Sequence, residues 1–474
     1  MPEGAAAQSS SAQRNAKANA AIRAGVLAYF VDQFDIFLPV IVLAPAMVYF
    51  QSTQASPGTS AVLSALVFAA TLLGRPLGAA VFGHFADITG RKKATLVAVA
   101  GFGVTTLLIA VLPGYSAIGL WSIGLLITLR FVDGFFLGGE YTTAVPLAME
   151  WSPKHRRGLV GGLITGTSPG AYALIAVITL LLLQVMPSAG PNSAYAQWGW
   201  RIPFVVGAVL AAVLFVHYLR AVEEPLTQRT AAGARSPFIE LLTGPHRRAL
   251  LQVFVLMSGV WLAGNMVSAV LPGLLKTHLE LTSTQVTAVM LGESVAAAAS
   301  YPLLGLLSQR IGRRTFYIGY GAAMAVVGSM LYALLMVAGF GFAGVLGLTV
   351  IIGIVATGTF GPIAAYLTER FPAEIRASGY GVGYSLAIVI PAFYAFYLNG
   401  LARLVPAYLA PVVLVGLAGV LVAVGGYLGP ETRDVDMGAA QISAAQISAA
   451  QISTNADPAT PTGRGPVRRG IPGR

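Results

Sequence analysis

No cysteine occurs among the 474 residues, which excludes disulfides, thiolate metal sites and a cysteine nucleophile. Charge is also scarce: 10% of the residues are Asp, Glu, Lys or Arg, against about 25% in a typical soluble domain. The five histidines, His84, His155, His217, His246 and His278, are scattered, with no nucleophile–base pairing and no metal-ligand spacing. Catalysis is not indicated, and neither is a metal or a cofactor. What the chain has in abundance is apolar surface, at 56% of residues. Such a chain is not a soluble protein.

The apolar residues come in runs of roughly 20, long enough to cross a hydrocarbon core of about 30 Å. Twelve spans are predicted, near residues 24–50, 60–82, 94–112, 118–149, 158–186, 200–220, 248–275, 285–308, 315–338, 342–368, 376–399 and 405–429. The first span is long and lacks a convincing cleavage site, which argues against a cleavable signal peptide.

The formal net charge of +11 at first suggests nucleic acid, but its placement points elsewhere. Of 29 Lys and Arg, all but Arg75, Arg130, Arg201, Lys276 and Arg403 fall in the termini or in loops assigned to one side. That is the positive-inside bias of a membrane protein, and it predicts that both termini are cytoplasmic.

Between the second and third spans lies Phe82-Gly83-His84-Phe85-Ala86-Asp87-Ile88-Thr89-Gly90-Arg91-Lys92-Lys93. The glycines let two helices end close together, and Asp87 has the reach and charge to accept hydrogen bonds from a neighbouring helix end. A weaker copy, Gly305 through Gly312-Arg313-Arg314, follows 222 residues later, counted from Gly90 to Gly312 and from Arg91 to Arg313. Likewise Glu150, Pro153 and Arg157 recur 219 residues on as Glu369, Pro372 and Arg376. The chain therefore reads as two copies of one unit of about 200 residues, an arrangement common in secondary transporters.

Asp87-x-x-Gly90-Arg91-Lys92 resembles the signature loop of the major facilitator superfamily. The longer run from Gly74-Arg75-Pro76-Leu77-Gly78 to Lys93 resembles its metabolite:proton symporter branch, which includes permeases for α-ketoglutarate, citrate, shikimate and proline/betaine. The resemblance covers residues 24–432. It implies an all-α membrane fold of two pseudo-symmetric six-helix bundles. The expected layout is a cytoplasmic segment 1–23, a first bundle 24–222, a cytoplasmic linker 223–247, a second bundle 248–430 and a disordered tail 431–474. The tail contains Ala-Ala-Gln-Ile-Ser three times over, from Ala439 to Ser453, which matches no packed-core period.

Charged residues inside the spans are the site candidates, because a charge at membrane depth is rarely left facing lipid. Asp32 and Asp35 share one helix face at i, i+3. They read either as a proton-coupling or substrate-orienting pair in a cavity, or as partners of arginines on other helices. The family typically has an acid, an aromatic, then Phe-Asp here; Asp32-Gln33-Phe34-Asp35 keeps the acids and loses the aromatic. Arg75 reads as a substrate contact or as a snorkelling anchor. Arg130, Asp133 and Glu140 form one helical stripe. Arg130 resembles the buried arginine of this helix in the superfamily, suited either to bind an anion or to neutralise an aspartate; a static Arg130–Asp133 pair is the alternative. In the second half Asn265 and Glu293 are the polar cavity candidates, alongside Trp261, Lys276, Tyr301, Tyr366, Tyr384, Tyr394 and Asn399. Gly83, Asp87, Gly90, Arg91, Lys92, Glu150, Arg157, Gly312, Arg313, Arg314, Glu369 and Arg376 read as cytoplasmic gate residues.

These features predict a secondary active transporter of the plasma (inner) membrane that imports a small polar metabolite by proton symport. An arginine in the cavity favours an organic acid. A proton-coupled exporter of the same fold is the alternative, ahead of a transporter-like sensor. The expected partners are the lipid bilayer, the solute and protons, with no nucleic acid and a monomeric state.

Overall fold

The structure, a computed structural model, describes residues 3–52, 54, 57–223 and 237–437. Most of the expected central linker and nearly all of the expected tail lie outside the described residues. Among the described residues twelve helices are long and apolar enough to cross a membrane: α1 (Asn15–Ile41), α2 (Val62–Thr89), α3 (Arg91–Ala110), α4 (Trp121–Trp151), α5 (Lys154–Val185), α6 (Tyr195–Ala221), α7 (Arg247–Thr277), α8 (Ser283–Ile311), α9 (Arg313–Val337), α10 (Phe342–Arg370), α11 (Ala373–Leu401) and α12 (Ala407–Leu428). No β-strand occurs among the described residues.

The first span differs most from its predicted limits. It ends at Ile41, and Ala44–Tyr49 forms a separate 3-10 helix with proline at its start. Pro45 cannot donate a backbone hydrogen bond or continue the α-helix, so the apolar run 42–50 turns off the helix axis. At the other end the helix takes in residues before Arg23, which apolar counting assigns to a polar segment.

Packing within the first half is set by glycine. A Cβ on Gly74 or Gly78 would collide with the backbone of Phe131 or Phe135 in α4, and one on Gly134 or Gly138 with the backbone of Thr71 or Arg75 in α2. The two helices thus touch backbone to backbone, as small residues allow in membranes. That contact carries Arg75 and Arg130 inward, toward α1.

The halves meet along two pairs, α2 with α11 and α5 with α8. Gly83 allows the first approach, since a Cβ there would lie 2.8 Å from the Cα of Ser378; Gly158 and Gly305 allow the second, each facing the other's carbonyl. Both seams lie at the end of the bundle that carries the charged loops. Among the described residues three helices contain a π-helical turn: α6 begins with one, Tyr195–Gly199, α7 has one at Met266–Val270 and α9 one at Met324–Gly328. The α7 turn directly follows Asn265, beside the central cavity, and such bulges are frequent at functional sites.

Candidate functional site: a buried charge cluster, a central cavity and two latches

Six ionisable side chains are packed inside the first half with almost no solvent exposure: Asp32, Asp35, Arg75, Arg130, Asp133 and Glu140. Arg75 forks onto Asp32, with Nη1 donating to Oδ1 at 3.1 Å and Nη2 to Oδ2 at 3.2 Å. Its guanidinium lies 4.6 Å from the centre of the Tyr141 ring, a cation–π contact. Arg130 donates through Nη1 to Asp35 Oδ1 at 2.7 Å and through Nε to Thr71 Oγ1 at 2.9 Å. The same Nη1 lies 3.0 Å from Asp133 Oδ2. Thr106 donates to Asp35 at 2.5 Å and Thr105 to Asp133 at 3.2 Å.

The i, i+3 spacing of Asp32 and Asp35 thus serves two arginines on different helices. The Arg130–Asp133 contact exists, but Asp35 shares it. Arg75 neither snorkels nor reaches the cavity; the close α2–α4 packing holds it against Asp32. Both carboxyl oxygens of Glu140 lack a hydrogen-bond partner among the described residues.

A cavity of about 140 Å³, counted as room for the centres of water-sized molecules, lies between the halves. Tyr29, Gln33, Phe37 and Tyr172 line it from the first half, and Trp261, Asn265, Glu293, Tyr301, Phe360 and Tyr384 from the second. The Trp261 ring stands nearly perpendicular to Phe360 and to Tyr384, at centroid distances of 5.4 and 5.1 Å, making an aromatic corner. Asn265 donates to the Pro391 carbonyl at 3.0 Å. Glu293 accepts from Ser294 Oγ at 3.3 Å and packs against Gly353.

Among the described residues no lysine, arginine or histidine lines this cavity, so the arginine that favours an organic acid in the sequence lies behind its wall. Tyr366 bonds Gln252 instead, and Lys276 and Asn399 are exposed. The residues that sequence reading missed are Gln33, Ser168, Thr71, Thr105 and Thr106. They are neutral, and only their partners give them a role.

Two latches close the loop-bearing end. In the first, Asp87 accepts from the backbone N–H of Ala377 at 3.1 Å, the N–H of Ser378 at 3.0 Å and the Ser378 hydroxyl at 2.7 Å. A carboxylate thereby sits on the N-terminal end of α11, where the helix dipole favours negative charge. Glu150 bridges the halves, taking Arg91 on one oxygen and Arg376 on the other, the latter at 2.5 Å. Lys92 donates to the Leu219 carbonyl at 3.1 Å. Gly90, at φ 104°, makes the turn between α2 and α3 in a region that favours glycine.

The second latch uses the repeated positions. Gln309 stands 222 residues after Asp87, and its Oε1 accepts from the Gly158 N–H at 3.0 Å, at the start of α5. Arg313 forks onto Glu369 through Nε and Nη2, each at 3.1 Å. Gly312, at φ 99°, repeats the turn of Gly90. Glu431 caps the start of α9, accepting from the N–H groups of Arg313 at 2.8 Å and Arg314 at 3.2 Å. Arg157 donates to the Val435 carbonyl at 2.6 Å. Glu150 thus finds its second guanidinium in the other half, not in Arg157 of its own loop.

Comparison with known proteins agrees with this architecture. The model of the Major Facilitator Superfamily matches residues 25–395. The alpha-ketoglutarate permease of Escherichia coli (strain K12) is 33% identical, over 73% of this chain and 78% of that protein. The proline/betaine transporter of Salmonella typhimurium is 28% identical, over 79% and 76%. Among solved structures, the proton:xylose symporter XylE bound to 6-bromo-6-deoxy-D-glucose superimposes with a TM-score of 0.65, covering 86% of this chain and 95% of that one; at 16% identity that likeness speaks for the fold alone. A chain with twelve membrane helices, a repeated latch and a family match over most of its length belongs to the Major Facilitator Superfamily and is a membrane transporter.

Proposed function

We propose that the protein imports a small polar metabolite together with protons, by rocking two six-helix bundles (24–222 and 248–430) about the central cavity. The observation that carries this reading is the charge count of the buried cluster. Four carboxyls face two guanidiniums, all of them buried. Leaving two negative charges unpaired there would cost several kcal/mol each, so the cluster is neutral when it holds two protons. Glu140, which has no hydrogen-bond partner among the described residues, holds one; the Asp35–Asp133 pair around Arg130 shares the other. Losing a proton leaves a buried charge that the surrounding helices must move to accommodate, and this links proton binding to conformation.

The latches are the conformational element. Basic residues concentrate at their end, so that end is read as cytoplasmic, with both termini there and the protein in the plasma (inner) membrane as a monomer. Closed latches make this the outward-facing state. Gate roles fall on Asp87, Glu150, Arg91 and Arg376 in one latch and on Arg313, Glu369 and Gln309 in the other.

An organic acid fits this scheme if the solute carboxylate takes over an arginine. When a proton occupies Asp32, its pairing with Arg75 is lost, and a guanidinium fork separated from the cavity by Gln33 becomes available to an anion. Proton and anion would then enter together. Proton-coupled export is the second reading. It is favoured by Glu293, the one acid lining the cavity, which faces no basic residue and could exchange a proton for a cationic solute.

The test is external pH around energy-depleted cells expressing the protein, with dicarboxylates, monocarboxylates, betaines, sugars and aromatic acids added one at a time. Alkalinisation triggered by one class and lost in Asp35→Asn supports proton symport and identifies the class. Silence across the panel, from protein shown to be in the membrane, removes import by symport and leaves export.

A further inference from the structure

Gln33 joins the two parts of the site. It lines the cavity. Its Oε1 accepts from the Ser168 hydroxyl of α5 at 2.6 Å, and its Nε2 donates to Asp32 Oδ2 at 2.7 Å. Asp32 in turn holds Arg75, and Arg75 lies over Tyr141, whose hydroxyl bonds Ser385 in the second half. A continuous polar path therefore runs from the cavity wall through the buried ion pair to the opposite bundle. An aromatic ring in place of Gln33 could line the cavity but could not continue this path.

The amide has no freedom to serve both sides independently. Its acceptor end is fixed by Ser168 and its donor end by Asp32, so the two bonds set each other's orientation. A solute that hydrogen-bonds to Ser168 or to the amide turns or withdraws the Nε2 donor, leaving Asp32 with Arg75 alone. We propose that Gln33 is a positioning residue that reports cavity occupancy to the Asp32–Arg75 pair and so couples solute binding to proton binding. This rests on the symport reading above. The groups that also act on Asp32 are Arg75 of α2, Glu140 and Tyr141 of α4, Tyr29 of α1, and Tyr380 and Tyr384 of α11, together with Asp35 one turn along its own helix. Of these, Tyr29 and Tyr384 also line the cavity, and they are bonded to each other at 2.7 Å, leaving Gln33 as the amide link.

The experiment compares wild type, Gln33→Met and Ser168→Ala in reconstituted vesicles, with labelled α-ketoglutarate and proline as probes and a dye recording proton entry. Gln33→Met preserves length and volume, and Ser168→Ala acts from another helix. In both variants, accumulation driven by an inward proton gradient should fall relative to solute exchange at equal pH, by about tenfold in the ratio, within the usual range of site-to-site coupling. Wild-type ratios in the variants overturn the proposal, and so does parallel loss of exchange and accumulation, which would make Gln33 only a solute contact. Failure of the symport reading would appear in the wild type, as solute entry without protons or no entry at all. In that case a solute-free measurement decides. The infrared carboxyl band removed by Asp32→Asn should titrate at a pH displaced by about one unit in Gln33→Met, a tenfold change in proton affinity. An unmoved midpoint overturns the role of Gln33.

Discussion

In the first half, four acids and two arginines are buried between α1, α2 and α4, and the hydroxyls of Thr71, Thr105 and Thr106 bond Arg130, Asp133 and Asp35. In the second half rings pack together, Phe316 stacked on Tyr320 and Tyr317 against Tyr366, with Glu293 as the acid at the cavity. The latches differ in the same sense. Asp87 holds α11 with a charge, whereas its counterpart Gln309 holds α5 with a neutral amide. The repeated positions share their geometry, and their chemistry differs between the two copies. On the proposed function, one half moves protons while the other shapes the cavity.

The largest expected effect comes from breaking the charged half. Arg130→Ala leaves Asp35 and Asp133 together without their cation, and removing one partner of a buried pair costs about 3–5 kcal/mol. The variant should melt far below wild type in detergent and be poorly recovered from the membrane. Removing a large ring from the second half, as in Tyr317→Leu, should cost less. A melting midpoint for Arg130→Ala within about 2 °C of wild type would mean that the cluster contributes little to folding, and the contrast between the halves would lose its energetic basis.

An intermediate effect should come from the latches. Asp87 makes three hydrogen bonds as a charged acceptor and Gln309 makes its cross-bundle bond as a neutral one. Bonds to charged groups contribute about 1.5–3 kcal/mol against about 1 for neutral ones. Asp87→Asn should therefore shift the balance toward opening at the loop-bearing end by about 2 kcal/mol, roughly thirtyfold, and Gln309→Ala by about 1 kcal/mol, roughly fivefold. The absence of native cysteine makes the measurement clean, because a cysteine at Leu72, in the cavity wall, is the only thiol. Its labelling from the loop side should rise in that order. Equal labelling in the two variants would show that the latches are equivalent despite their charges.

Most of the architecture is legible in the sequence, because membrane length, basic loops and the repeated Gly-Arg turn each leave a local pattern. Buried charge is legible as well: Asp32, Asp35, Arg130, Asp133 and Glu140 stand out against an apolar background. The pairing is not legible. Nothing near Asp32 in sequence indicates Arg75, 43 positions away, because that contact depends on how closely α2 and α4 pack through Gly74, Gly78, Gly134 and Gly138. Gln309 hides for the opposite reason, since a neutral residue at a helix end draws no notice until the 222-residue offset matches it to Asp87. The predicted first span runs past Ile41, the observed end of α1, because apolar counting does not register Pro45.

The smallest expected effect concerns the second half's own acid, and it separates the two transport readings. Glu293 is nearly covered, contacts Ser294 and Gly353, and faces no cation in the cavity wall. If the protein imports an anion with protons, a negative charge at Glu293 would repel the solute, so the side chain must be protonated while the solute is bound. Glu293→Gln imitates that state in shape and charge. It should change solute affinity by no more than about threefold, under 1 kcal/mol, and leave the number of protons per solute intact. If the protein instead exports a cation against protons, Glu293 is the group the two compete for, and the same variant should stop transport altogether. Measuring uptake, efflux and proton movement in Glu293→Gln therefore distinguishes a mainly neutral second half from one that holds the coupling acid. Full loss of transport would overturn the division of labour between the halves.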